Sequence, residues 1–236
     1  MRTFFLAAYF ILYMIGLGIK GIKLKYLFKY KGEAEANKYI EKIVMNWSKF
    51  TIKTMGLDVE VRGKENIKDE TYLFVANHQS YFDIPVLLHI VGKPVGFIAK
   101  KELEKVPVLR WWMKKFHCIL MDRENPREAI KSINEGIDNL NKGYSMAIFP
   151  EGTRSKSHEV MDFKKGSLKL ATKSGTKVIP VSIDGTFKAL EETGTLKRTK
   201  VKVTIGEPID PKDFSREDQN NLSEIIREII KNNMEE

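Results

Sequence analysis

The chain has 236 residues, 42% hydrophobic and 30% charged, which is enough apolar material for a large α/β domain and excludes wholesale disorder. A single Cys excludes a disulfide framework and a cysteine-based metal cage, and the 4 His are too scattered to form a zinc-binding helix. The formal net charge of +9 favours contact with nucleic acid, anionic lipid or an acidic protein. Because no finger or RNA-binding signature accompanies this charge, we expect no metal site and no nucleic-acid partner.

The N-terminal segment, residues 1–55, is expected to form a helical hairpin. Residues 3–19 are uncharged and mostly apolar, a run of about 17 residues where a straight membrane-spanning helix needs about 20. Lysines alternate with Ile, Leu, Phe and Tyr over 19–31, and 33–55 has the spacing of an amphipathic helix. The alternatives are a spanning helix, a signal peptide without a clean cleavage site, and a hairpin that only packs on the core. We favour a hairpin that lies in one leaflet of a membrane.

The remaining residues, 56–236, are expected to form one α/β domain without internal repeats or long linkers. Short apolar strands alternate with helical patterns along this part of the chain. The alternation predicts a mixed, mostly parallel sheet flanked by helices, with functional groups at the carboxyl ends of its strands. The predicted strands are 57–63, 71–77, 95–100, 117–122, 145–150, 177–183 and 200–209, and the predicted helices are 81–91, 107–116, 126–141, 164–174 and 215–234.

A histidine and an aspartate follow the second predicted strand. His78 and Asp83 are five positions apart, a spacing that places two side chains on different faces of a straight helix. If His78 lies on the loop and Asp83 in the first helical turn, the chain folds back and the carboxylate holds one imidazole nitrogen. The other nitrogen is then free to act as a base. From spacing alone, a helix-capping His beside an Asp at a helix N-terminus is the alternative.

Basic side chains follow three other predicted strands. Arg154 projects from a turn as a planar fork suited to phosphate oxygens, and Glu151 in the same turn is expected to accept loop N–H bonds. Arg123 follows the strand 117–122. Lys100 and Lys101 lie at the end of another strand. Each alone indicates a solvated turn or a salt bridge, but together they predict a phosphate cradle beside the histidine.

Four sequence blocks, in this order, resemble those of the glycerophosphate acyltransferase superfamily. They are NHQSYFD (Asn77–Asp83), ILMDR (Ile119–Arg123), FPEGTRS (Phe149–Ser155) and VIPVSI (Val178–Ile183). The pattern is most similar to bacterial 1-acyl-sn-glycerol-3-phosphate acyltransferases of the PlsC type, and it covers about residues 57–210.

The resemblance implies a glycerol-3-phosphate acyltransferase-like fold and a specific reaction. A fatty acyl group would pass from a thioester, either acyl-CoA or acyl carrier protein, to the 2-hydroxyl of 1-acyl-glycerol 3-phosphate (lysophosphatidic acid). The product would be phosphatidic acid, made for phospholipid biosynthesis without a metal or other cofactor. The implied base is His78, and Asp83 orients it. The residues implied at the acceptor phosphate are Arg123, Glu151, Gly152, Thr153 and Arg154, with Lys100 and Lys101 as further candidates.

Several alternatives remain open from the sequence. Within the superfamily, the acceptor is glycerol 3-phosphate or another lysophospholipid; outside it, the chain is a non-catalytic lipid-binding protein of the membrane. A lipase of another fold would need a G-x-S-x-G turn, which the sequence lacks. Cys118 lies in an apolar run and is expected to be a buried thiol, not a nucleophile. We expect a peripheral or monotopic protein of the cell membrane, with its catalytic domain on the cytoplasmic side.

Overall fold

The computed structural model describes residues 2–122, 125–164 and 166–235, and this part of the chain forms a pair of helices followed by alternating strands and helices. The strands are β1 (Leu57–Arg62), β2 (Leu73–Ala76), β3 (Gly96–Lys100), β4 (Ile119–Met121), β5 (Met146–Ile148), β6 (Val178–Asp184) and β7 (Thr199–Ile205). The helices are α1 (Arg2–Tyr30), α2 (Glu33–Met55), α3 (Asp83–Val91), α4 (Pro107–Lys115), α5 (Pro126–Asn141), α6 (Lys169–Ser174) and α7 (Arg216–Glu235).

The strands form a single sheet in the order β1-β7-β6-β2-β5-β3-β4. Neighbouring strands are parallel except β6 and β7, which pair antiparallel. Leu73 of β2 is in register with Met146 of β5 on one side and with Val178 of β6 on the other. The carboxyl ends of these three strands therefore meet at one edge of the sheet. The predicted mixed, mostly parallel sheet flanked by helices is confirmed.

Helices cover both faces of the sheet, so its central strands are buried on both sides. Tyr72 and Phe74 join a core shared with α2, α3 and α4, whereas Leu73 and Val75 join a second core shared with α5, α6 and α7. This division follows from the alternation of side chains along a strand. Because both faces are covered, all four residues of β2 are buried, as is typical of strands in a parallel sheet.

The N-terminal helices run antiparallel and differ in what they bury. Tyr13 of α1 stacks on Phe50 of α2 with ring centroids 3.8 Å apart, and Lys23 lies 5.2 Å from the ring of Tyr39. Helix α2 packs one apolar face into the core that it shares with α3 and the sheet, so this half of the hairpin packs on the core. The buried apolar residues of α2 are Ala36, Ile40, Ile43, Val44, Ile52 and Met55.

Helix α1 is continuous from Arg2 to Tyr30 and is therefore longer than the apolar run of 3–19 indicates. Lysine is a good helix former, and the second half of α1 is held by packing: Leu24 is fully buried. At 1.5 Å per residue the helix is about 43 Å long, against about 30 Å for the hydrocarbon core of a bilayer. Among the described residues it is the one helix long and apolar enough to cross a membrane, judged by length and composition.

The starting points of two other helices are set by local backbone and side-chain geometry. The helix predicted over 164–174 begins only at Lys169, because the chain turns through Gly166, whose φ is +81°. Ser215 caps the N-terminus of the last helix: Asp218 N donates to Ser215 Oγ over 3.2 Å, and Ser215 Oγ donates to the Asp218 carboxylate over 2.8 Å. The last helix is thereby fixed at its start.

Candidate active site

His78 and Asp83 lie side by side in the turn that joins β2 to α3. Helix α3 begins at Asp83, so the aspartate is in the first helical turn while His78 remains on the loop. His78 Nδ1 is 2.7 Å from Asp83 Oδ2, and Asp83 is fully buried. The fold-back predicted from the five-residue spacing is confirmed. A carboxylate at Nδ1 stabilises the tautomer that carries its proton there and leaves Nε2 unprotonated.

The Asp83 carboxylate accepts hydrogen bonds from four groups. Besides His78, the backbone N–H groups of Gln79 and Ser80 donate to Oδ2 over 2.7 and 2.8 Å. The hydroxyl of Thr186 donates to Oδ1. A buried carboxylate needs such partners to remain charged, and four donors also leave it little freedom to rotate. The turn therefore holds the imidazole in one orientation.

The residues around this pair include two that the sequence analysis did not single out for a role. Asn77 bridges β2 and β6, because its amide nitrogen donates to Ile183 O and its amide oxygen accepts from Ile183 N, both over 2.8 Å. Thr186 follows β6 and reaches Asp83 across the sheet edge. Thr186 could have been identified as a site residue because it lies just beyond a buried strand, as His78 does.

The loop after β5 forms the other wall of the site. The His78 ring stacks on Phe149, with centroids 4.2 Å apart and ring planes 17° apart. Ser155 N donates to His78 O over 2.8 Å, so the two loops are joined directly. Gly152 adopts a φ of +73° and its N–H donates to Phe149 O over 3.1 Å, which closes the tight turn predicted there. Arg154 emerges from this turn beside the histidine loop.

Glu151 is turned into the protein, where it supports the histidine loop. One carboxylate oxygen accepts from His78 N over 2.7 Å and the other from Met161 N over 3.4 Å, so it accepts loop N–H bonds as expected. Burial raises the pKa of Glu151 to about 7, although the bonds from His78 and Met161 oppose the rise; the Asp83 charge adds to it. Glu151 thus carries its proton part of the time near neutral pH.

The other predicted phosphate-binding residues differ in placement. Thr153 is exposed in the turn before Arg154. Lys100 is exposed at the carboxyl end of β3, and the Lys101 ammonium lies 3.3 Å from the Asp122 carboxylate. Arg123 lies outside the described residues. The structure thus brings together His78, Asp83, Glu151, Gly152 and Arg154, while the two lysines follow a strand separated from β2 by β5.

Cys118 lies just before β4 and is buried, as expected from its apolar surroundings. Burial raises the pKa of its thiol to about 12, and the hydrogen bond from Phe97 N to Sγ offsets this only in part. A thiol with this pKa is protonated at neutral pH and is a poor nucleophile. Among the described residues, no three His, Cys, Asp or Glu side chains form a group that could hold a metal ion.

Comparison with known proteins places this geometry in a family. A family model described as Acyltransferase matches residues 58–184. The 1-acyl-sn-glycerol-3-phosphate acyltransferase of Saccharomyces cerevisiae is 33% identical over 186 residues, which are 77% of this chain and 61% of that protein. The probable 1-acyl-sn-glycerol-3-phosphate acyltransferase of Mycoplasma genitalium is 36% identical over 188 residues, which are 74% of this chain and 70% of the relative.

A solved structure matches over nearly its whole length. The crystal structure of the 1-acyl-sn-glycerophosphate acyltransferase PlsC from Thermotoga maritima has a TM-score of 0.86 and 35% sequence identity. The match covers 100% of this chain and 97% of that one, so it includes the N-terminal helix pair. By contrast, the chain spans less than two thirds of the length of the yeast relative.

Proposed function

The chain belongs to the acyltransferase family, and from this premise we propose that it transfers a fatty acyl group from a thioester to the 2-hydroxyl of 1-acyl-glycerol 3-phosphate, making phosphatidic acid. The observation that carries the proposal is the His78–Asp83 pair, 2.7 Å apart, on a loop that is hydrogen-bonded to the Arg154 loop. A base and a phosphate-binding group at one sheet edge match an acceptor that carries both a hydroxyl and a phosphate.

In this mechanism His78 is the general base. Its Nε2 takes the proton of the acceptor hydroxyl as that oxygen attacks the thioester carbonyl, and Asp83 stabilises the imidazolium that forms. The tetrahedral intermediate then collapses: the carbon–sulfur bond breaks and the thiolate leaves with the proton from His78. The new ester bond replaces the thioester bond, so atoms and charges balance and the side chain is regenerated.

The acceptor phosphate is assigned to Arg154, with Gly152 and Thr153 in the same turn, and to Arg123. Arginine presents several N–H donors in one plane and binds phosphate oxygens in pairs. Binding at the phosphate orients the hydroxyl toward His78 and replaces a chance encounter with a positioned one. Glu151 contributes by holding the backbone of His78. Lys100 and Lys101 add positive charge at the same edge of the sheet.

We also propose a division of labour, with residues 1–55 holding the protein on a membrane and 56–236 carrying the chemistry. Helix α1 exposes a set of large apolar side chains that the rest of the protein leaves uncovered. The set includes Phe4, Phe5, Ile11, Leu12, Ile15, Ile19 and Ile22. An exposed apolar helix near a run of lysines fits the boundary between lipid headgroups and acyl chains.

Contacts along α1 favour one leaflet over a transmembrane arrangement. Near its start, Thr3 Oγ1 accepts from Leu196 N over 3.2 Å; near its middle, Leu17 O accepts from Trp112 Nε1 over 3.1 Å. Near its end, Lys115 lies 4.7 Å from the ring of Phe28. A helix held to the α/β domain at three levels cannot cross a bilayer unless the domain enters it. Cytoplasmic acyl thioesters and the anionic cytoplasmic leaflet favour that side for the domain.

A panel of acceptors tests the function directly. The full chain would be assayed with acyl-CoA and with acyl carrier protein against lysophosphatidic acid, glycerol 3-phosphate and lysophosphatidylcholine, with products identified by mass spectrometry. We expect phosphatidic acid from lysophosphatidic acid as the dominant product. Preference for glycerol 3-phosphate or a zwitterionic lysolipid would replace the proposed acceptor. Binding of lysophosphatidic acid without turnover of either thioester would favour a lipid-binding protein instead.

A further inference from the structure

Besides Asp83 and Glu151, a third carboxylate, that of Glu191, is enclosed beside the site, and it has no part in the mechanism above. It is on the loop between β6 and β7, and its side chain is only 5% exposed. Its Oε1 accepts from Arg154 Nη1 over 2.8 Å and from Tyr81 N over 3.2 Å. Its Oε2 accepts from Ser80 Oγ over 2.8 Å. One carboxylate therefore joins the arginine loop to the histidine turn.

The guanidinium of Arg154 is held from a second direction as well. Its Cζ lies 3.4 Å from the centroid of the Tyr81 ring, so the cation packs against an aromatic ring while Glu191 holds one edge. Tyr81 and Ser80 belong to the turn that carries His78 and Asp83. Ser80 and Tyr81 therefore fix the position of Arg154 relative to the His78 turn, Ser80 through its bond to Glu191 and Tyr81 through its ring.

We propose that Glu191 is a positioning residue that holds Arg154 at a fixed place relative to His78, so that an acceptor bound through its phosphate presents its hydroxyl to the base. The inference rests on the proposed function, because it assigns Arg154 to the acceptor. A long arginine side chain free in solvent would lose more rotamer freedom on binding phosphate than one already held. Pre-organisation by Glu191 therefore strengthens acceptor binding without contact between Glu191 and the substrate.

The same contact could have the opposite role of a lock, meaning that Glu191 competes with the acceptor phosphate for Arg154 and weakens acceptor binding. The number of N–H donors on Arg154 favours positioning over this competition. Arginine has five N–H donors, and the bond to Glu191 uses Nη1, while the side chain of Arg154 remains 20% exposed. The two roles predict opposite signs for the change in acceptor affinity when the carboxylate is neutralised.

The test is Glu191→Gln in the full chain, assayed with acyl-CoA and lysophosphatidic acid in mixed micelles. An amide keeps the size of the side chain but loses the charge-assisted bond to Arg154. We expect the KM for lysophosphatidic acid to rise about tenfold, with the KM for acyl-CoA and kcat changed by less than about twofold. Glu192→Gln, which neutralises the exposed next residue, is the matched control and should leave all three constants unchanged.

A double-mutant cycle separates action through Arg154 from general support of the loops. In an Arg154→Ala background, Glu191→Gln should change the acceptor KM by less than about twofold. Three outcomes would overturn the proposal. A lower acceptor KM in Glu191→Gln would show that Glu191 competes with the phosphate, and an equal loss of kcat in both backgrounds would show that it supports the His78 turn. An unchanged acceptor KM in the single variant would show that it does not affect acceptor binding.

Binding measured without turnover keeps the inference separate from the proposed function. Calorimetric titration of the full chain with lysophosphatidic acid should show about tenfold weaker binding for Glu191→Gln than for the wild type and Glu192→Gln. If the wild type binds this lipid but transfers no acyl group, the function fails while this difference still supports Glu191. If the wild type transfers acyl groups and both proteins bind equally, the function stands and the Glu191 inference fails.

Discussion

The His78 turn and helix α1 differ in where their side chains find partners. In the turn, polar groups are satisfied within the protein: four donors reach Asp83, and Glu151 accepts the N–H of His78. In α1, large apolar side chains are exposed along most of the helix. The turn is thus complete in the folded chain alone, whereas α1 presents an apolar surface that the protein itself leaves uncovered.

This difference corresponds to two requirements of the proposed acyl transfer to a membrane lipid. The reacting groups must be held in one geometry, which internal hydrogen bonds provide. The site must also reach an acceptor whose acyl chain stays in a bilayer, which an exposed apolar helix provides. Substitutions in the turn should therefore affect turnover in every assay, whereas substitutions on the exposed face of α1 should affect only assays on bilayers.

The largest effect is expected at the base and its orienter. His78→Ala and Asp83→Asn should each lower kcat by about 1,000-fold while leaving the far-ultraviolet circular dichroism spectrum unchanged. Because the two side chains act as a unit, the double variant should be little worse than either single one. Rates would be measured with lysophosphatidic acid both in micelles and in vesicles. Near wild-type turnover by His78→Ala in either assay would exclude His78 as the base.

The next largest effect is expected on membrane binding. Ile15 and Ile19 are 58% and 67% exposed, so replacing both by Ser should not unfold the protein. We expect about 100-fold weaker partitioning into zwitterionic vesicles, measured by flotation, because two apolar side chains no longer enter the lipid. Turnover of a short-chain soluble acceptor should be unchanged.

Ile130→Ser is the matched control for this membrane prediction. Ile130 is 63% exposed on α5, which packs on the opposite face of the sheet from α2, α3 and α4. Its replacement should leave vesicle binding within about twofold of the wild type. Equal losses in both variants would mean that α1 is not the membrane-binding surface.

The sequence predicted the features that depend on residues close together along the chain, and missed those that depend on contacts between distant residues. His78 and Arg154 could be assigned to one edge because apolar strands and parallel crossovers are visible locally. The length of α1 was not visible, because the lysines within 20–31 interrupt the apolar run and only packing on α2 and α4 shows that the helix continues. Glu191 lies over 100 residues from Ser80 in sequence, and no local pattern signals that bond.

A third, smaller effect is expected at Thr186, whose hydroxyl completes the carboxylate network. Thr186→Val keeps the shape of the side chain but leaves Asp83 Oδ1 without its donor. We expect kcat to fall about tenfold in micelles and vesicles alike, because the carboxylate is less firmly oriented. Thr186→Ser should restore most of the activity. Wild-type kcat in Thr186→Val would show that the backbone N–H groups alone hold Asp83.

The smallest effect is on the pH dependence of the free energy of unfolding. It tests whether the Glu151 carboxyl group is buried beneath the His78 turn, as in the structure. Burial raises the pKa of Glu151 from 4.5 to about 7, so the folded state binds this proton more tightly than the unfolded state. The resulting stabilisation is fully present below pH 4.5 and is lost as pH rises through about 7. Between about pH 6 and about pH 7.5 the loss amounts to about 1 kcal/mol, or about 2 to 4 °C in Tm.

Histidines with a lowered pKa oppose this trend in the whole protein, since their proton is bound more tightly by the unfolded state; His89 and His117 are such groups, both through burial. The measurement is therefore a difference between two proteins. Glu151→Gln cannot titrate, so the Tm of the wild type should fall relative to that of the variant as pH rises over this interval. A constant difference in Tm would mean that Glu151 is ionised throughout this pH interval. Its carboxylate would then be in contact with water and not enclosed with the His78 turn.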